Sequence, residues 1–145
     1  MFIERIESRR AWTEAVLVRL YRRWVAAREA GVGTGGSLAG LASDLGVEPL
    51  AAVALDSMLQ LTEACLGRRL RAECCCSANR CADERALLLL IAAAQDARPG
   101  FAPATMPHGL PAALAWAAVS LNRLLDDPLP PAVGPIRQCP FAAGG

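Results

Sequence analysis

Apolar residues recur along this chain at spacings of three and four, the period of helices with one buried side. Trp12, Val16, Leu20, Trp24 and Ala27 form such a stripe and predict a helix over 8–30, with Arg9, Arg10, Arg19, Arg22 and Arg23 lying mainly off it. The glycine-rich stretch 31–36 stops this helix and reads as a flexible connection, because it follows a helix and lacks the Lys-Ser or Lys-Thr of a phosphate loop. Ser37 is placed to cap a short helix over 38–45, with Gly46 as its stop. Pro49 suits the first turn of a third helix that reaches Leu66 and ends at Gly67. Leu50, Val53, Leu55, Met58, Leu59, Leu61 and Leu66 make that helix apolar over much of its circumference, as in a central helix.

After a connector over 68–80, a fourth helix is predicted over 81–97; its run 87–94 is apolar all round and should be buried on most sides. Pro99, Pro103 and Pro107 interrupt the chain. A fifth helix is predicted over 109–125, with Leu110, Leu114, Ala117, Leu121 and Leu124 or Leu125 facing inward. The expected fold is all-α: a compact bundle of about five helices around the third and fourth, forming a single domain over 1–125. The Pro/Gly-rich tail over 126–145 is expected to be extended or disordered, with Cys139 exposed in it.

Composition supports this reading. The 145 residues suffice for a core without disulfide staples. Hydrophobic residues make up 54% and mean hydropathy is +0.30, much of it from the helix formers Ala and Leu, while aromatics are 5%, which argues against a sheet. Net charge is +1, so no global field recruits nucleic acid or an anionic membrane. Every basic residue is Arg, and the arginines are spread widely; this reads as the codon bias of a GC-rich genome rather than a phosphate-binding patch. No run approaches the ~18 apolar residues of a membrane span, and the first residues do not resemble a signal peptide. The chain is therefore expected in the cytoplasm, with its six cysteines as thiols.

The unusual local feature is Cys74-Cys75-Cys76 followed by Cys81. In an extended segment Cys74 and Cys76 share a face and Cys75 turns away. Cys74, Cys76 and Cys81 are then three soft ligands for zinc or another soft metal, with Cys65, His108 or Cys139 as candidate fourth ligand. The spacing contains no Cys-x-x-Cys pair. Arg68, Arg69, Arg71 and Arg80 flank the cluster and favour thiolate, whereas Glu73, Asp83 and Glu84 oppose it, so a redox-responsive thiol is a second reading of the same residues. The third is core packing by small apolar side chains. Cys81-Ala82-Asp83-Glu84 has the pattern of a capping box with Cys in the usual place of Ser or Thr.

The stretch from Arg68 through the triplet, then Cys81-Ala82-Asp83-Glu84 opening an apolar helix, resembles a family of small bacterial proteins of unknown function. In that family a cysteine triplet precedes an acidic pair at the start of a Leu/Ala-rich helix. The resemblance spans 38–94 and implies an all-α fold with a cysteine-bearing connector; this chain departs from it in lacking Pro around the triplet and in placing Cys at the cap.

Other segments offer less chemistry. Residues 38–49 look like the front of a helix-turn-helix, but the following helix presents no base-reading side chain before Gln60, so a packed hairpin is expected and no nucleic-acid partner. His108, the single histidine, has no partner acid or nucleophile in view, and no nucleophile–base–acid arrangement is visible, so an enzyme is not expected. Two functions follow: a small cytoplasmic protein with a thiol site at the connector, or a non-catalytic helical module for an unidentified protein partner or self-association as a homodimer.

Overall fold

The structure is a computed structural model that describes residues 2–93, 112–125 and 141. Among these residues the chain forms five helices and no strand: α1 (Phe2–Glu29), α2 (Thr34–Asp44), α3 (Pro49–Leu66), α4 (Ala82–Ala93) and α5 (Ala112–Leu124). α3 packs on α2 and α5, α1 on α2 and α4, and α4 on α5. The core joins Leu17, Tyr21 and Trp24 of α1 to Leu55, Met58 and Leu59 of α3, Leu87, Leu90 and Ile91 of α4, and Leu114 and Leu121 of α5. Removing each such side chain from water contributes about 1.5–3 kcal/mol. Of the predicted tail only Phe141 is described, and it is buried in this core. His108 and Cys139 lie outside the described residues, as does the chain between α4 and α5.

α3 follows its sequence signals from end to end. Pro49 opens it, Glu48 caps it through its side chain, and Gly67 closes it in the left-handed conformation at φ 64. Leu50 and Val53, expected within its apolar circumference, are exposed; the buried side consists of Ala51, Ala52, Leu55, Met58, Leu59 and Thr62. On α4, Leu89 is exposed while Ala86, Leu87, Leu88, Leu90 and Ile91 are buried.

α2 starts earlier than predicted, and Ser37 is not its cap: the N-cap is Gly33, and Ser37 N–H bonds to the Gly33 carbonyl at 3.2 Å. The cause is tertiary. Asp56 of α3 accepts from the Thr34 hydroxyl at 2.7 Å and from Trp24 Nε1 at 2.8 Å, which docks the first turn of α2 against α1 and α3. Gly35 lets that turn approach; a Cβ there would stand 3.3 Å from Asp56 Oδ2. Part of the glycine-rich stretch is thus helix rather than loose connection.

α1 begins ahead of its predicted start. Val16, Leu20, Trp24 and Ala27 are buried as expected, but Trp12 is 49% exposed. Residues 3–5 and 7–12 are all exposed, and Trp12 lines a hollow together with Val16, Val47, Leu124 and Leu125. Arg22, placed mainly off the stripe by the sequence reading, is buried.

Candidate metal centre

The connector between α3 and α4 has no helix or strand ladder of its own, so its backbone groups need partners elsewhere. Three carboxylates accept from its backbone N–H groups, and a fourth, Glu14, holds the arginine at its end. Glu63 of α3 accepts from Leu70 N–H at 2.7 Å and pairs with Arg28. Asp83 accepts from Arg71 N–H at 2.8 Å and takes a two-pronged contact from the Arg68 guanidinium at 2.8 and 2.9 Å. Glu84 accepts from Glu73 N–H and Cys81 N–H, each at 3.0 Å. Glu14 of α1 holds Arg80 at 2.9 Å and Arg10 at 3.1 Å.

Arg22 completes the frame from α1. Its Nε donates to Glu84 Oε1 at 2.7 Å, its Nη1 to the Ser77 carbonyl at 2.8 Å and its Nη2 to the Asn79 carbonyl at 2.7 Å. The Tyr21 hydroxyl donates to the Arg71 carbonyl at 2.5 Å, and Arg28 Nη2 donates to the Leu70 carbonyl at 3.0 Å. Both Asp83 and Glu84 are buried, and burial by itself would raise their carboxyls. The arginine and backbone hydrogen bonds outweigh it and hold both below the ordinary carboxylate range. Burial pushes the Tyr21 phenol up, aided by the charge of Asp83, so it stays a neutral donor.

Half of the capping box forms. Arg85 N–H bonds to the Cys81 carbonyl at 3.1 Å, making Cys81 the N-cap, and Glu84 reaches back to the Cys81 N–H. The Cys81 thiol does not return the bond to the helix; it donates to the Arg71 carbonyl at 3.3 Å.

Within this frame the triplet makes a tight turn, closed by Ser77 N–H on the Cys74 carbonyl at 3.0 Å. The sequence reading set Cys75 on the opposite face from Cys74 and Cys76, as an extended strand requires. The turn abolishes that alternation, and all three Sγ atoms lie within 4.8 Å of one another. Cys74 Sγ and Cys76 Sγ are 2.9 Å apart. The hydrogen bond from Cys76 pulls the Cys74 thiol below the ordinary cysteine value, and the same bond raises Cys76. All three side chains are exposed. Cys81 stands outside this group, and Cys65 is exposed on α3, also outside it.

Three thiolates around one soft ion, at bonds of about 2.3 Å, stand roughly 3.8–4.0 Å apart. The three Sγ atoms lie within 4.8 Å of one another, so this group could hold a metal ion. Among the described residues no other cluster of His, Cys, Asp or Glu does so. Arg22 is the site residue that sequence reasoning missed. Its signal is the series Val18, Arg22, Val25, an arginine at helical spacing between two buried valines. No protein-family model, curated protein or solved structure matches the chain.

Proposed function

We propose that this chain binds a soft metal ion, zinc or another thiophilic ion, through Cys74, Cys75 and Cys76. The observation that carries the reading is the approach of three exposed sulfurs within 4.8 Å on a turn whose backbone is already anchored. Thiolates select soft ions over magnesium or calcium. Arg22, Asp83 and Glu84 hold the connector through their own hydrogen bonds, which favours a site that the fold can form without the metal as its main support. An ion on an exposed three-sulfur turn stays open to a further ligand and to exchange, which suits carriage or sensing of a metal better than a closed structural role. The reading goes with a reducing, intracellular setting. Among the described residues no helix is long and apolar enough to cross a membrane.

The test is elemental analysis of protein purified under reducing conditions, with a native thiol count. Stoichiometric metal that leaves on chelation, together with three newly reactive thiols in the peptide 72–80, supports the reading. Absence of bound metal after zinc or monovalent copper loading overturns it.

A second reading, a non-catalytic interaction module, is favoured by Trp12 and Trp116, 49% and 40% exposed on α1 and α5. Sedimentation over a range of concentrations tests its self-association form: a mass that stays monomeric removes it.

A further inference from the structure

We infer that Cys74 and Cys76 form a dithiol–disulfide couple that exchanges with small disulfides of the glutathione type. The inference goes beyond metal capture: it uses two of the same sulfurs but needs no metal to bind there. Three observations carry it. First, the Sγ atoms of Cys74 and Cys76 stand 2.9 Å apart, so closure to a disulfide bond of ~2.05 Å needs only a small side-chain movement. Second, the pairing is selective. Cys75 adjoins both, and a bond to either neighbour would close a ring through a single peptide unit and strain its planarity. The Cys81 thiol is occupied at the Arg71 carbonyl. Third, the turn is fixed independently of the sulfurs: Arg22 holds the Ser77 and Asn79 carbonyls, and Ser77 N–H closes on the Cys74 carbonyl. Both thiols are exposed, so a small disulfide reaches them.

The exchange balances without any further reactant. The thiolate of Cys74 attacks one sulfur of the substrate disulfide, breaks its S–S bond and expels one thiolate, leaving a mixed disulfide on Cys74. Cys76 gives up its proton, attacks Cys74 Sγ and expels the second thiolate. The two protein thiols lose two electrons and two protons; the substrate gains both as two free thiols. The product disulfide removes two of the three candidate metal ligands, so oxidation and metal capture exclude each other.

The experiment uses the full chain, freed of metal by chelation and equilibrated in graded mixtures of reduced and oxidised glutathione, then quenched in acid and digested with trypsin. Cleavage after Arg71 and Arg80 releases Ala72–Arg80, which carries Cys74, Cys75 and Cys76 and no other cysteine. The expected result is that peptide lighter by two hydrogens, in the wild type and equally in Cys75→Ser. Cys74→Ser and Cys76→Ser instead accumulate glutathione adducts and lose the internal disulfide. Circular dichroism of each variant checks that the helices are intact. If Cys75→Ser gives only adducts, or if the wild-type peptide stays reduced or joins a second chain, the couple does not exist. Zinc binding is measured separately on the fully reduced protein, free of glutathione. A wild type that forms the internal disulfide yet binds no metal overturns the metal reading alone; one that binds metal yet forms no disulfide overturns this inference alone.

Discussion

Arg22 of α1 and Glu84 at the start of α4 meet at 2.7 Å, both buried, 62 positions apart in the chain. The pair is not only an ion pair. Glu84 also accepts from the Glu73 and Cys81 N–H groups, and Arg22 also donates to the Ser77 and Asn79 carbonyls. One contact therefore fixes the connector on both sides of the cysteine turn.

Removing Glu84 should be costly. Glu84→Ala leaves Arg22 charged in a buried place and orphans two backbone donors, so a loss of about 3–5 kcal/mol is expected. Replacing both partners by apolar residues is often neutral for an isolated buried pair, but here the connector N–H groups remain unmet. The Arg22→Met/Glu84→Leu double variant should therefore stay less stable than wild type. Urea unfolding followed by circular dichroism measures both; a double variant as stable as wild type refutes the anchoring role.

Acid should unlock the same frame. The folded-state carboxyls of Asp83, Glu84 and Glu14 lie below their ordinary values, which are roughly 3.9 for Asp and 4.3 for Glu in an unfolded chain. Their stabilisation is complete above those unfolded values and is lost as pH falls through the folded ones. The melting temperature should hold level from neutrality down to about pH 5 and then drop with further acidification. Glu84→Gln should flatten that drop, because one of the depressed carboxyls is gone.

Tyr21 offers a smaller probe of the same region. Its hydroxyl donates to the Arg71 carbonyl from the core side while its ring is fully buried. Tyr21→Phe keeps the ring and removes the donor, at an expected cost of about 1 kcal/mol. Amide hydrogen exchange should quicken in 70–74 more than in α2 if the bond tethers the connector.

Which of these features could be read in advance depends on how local their causes are. The bounds of α3 rest on Pro49 and Gly67, whose backbone preferences act within a few residues, and they were legible. The start of α2 rests on Asp56, more than twenty residues away, docking Thr34, and the local signal at Ser37 pointed to a later start. Trp12 fits its stripe by period, but period does not say where packing partners end. At the cysteine turn the residues were legible and their geometry was not. An extended segment separates Cys75 from its neighbours, and only the turn, held by Arg22 and Glu84 from distant elements, brings the three sulfurs together. Cys81 suited a ligand set by composition, yet its place at the N-cap of α4 points its thiol to Arg71.

Cys75 and Cys81 therefore make a decisive pair of substitutions. A ligand set of Cys74, Cys76 and Cys81, natural for an extended segment, requires Cys81→Ser to weaken metal binding and Cys75→Ser to leave it intact. The turn reverses this order, since Cys75 belongs to the sulfur group and Cys81 does not. Loss of one of three thiolates should cost more than disturbing an outer partner of a ligand, so Cys75→Ser is expected to weaken metal binding by about a hundredfold or more. Cys81→Ser should change it little, because a serine hydroxyl can still donate to the Arg71 carbonyl. Competition against a chromophoric chelator, with zinc and with monovalent copper, reads both variants on one scale. Weakening by Cys81→Ser with Cys75→Ser unaffected would mean that the connector unfolds from this turn to bind its ion.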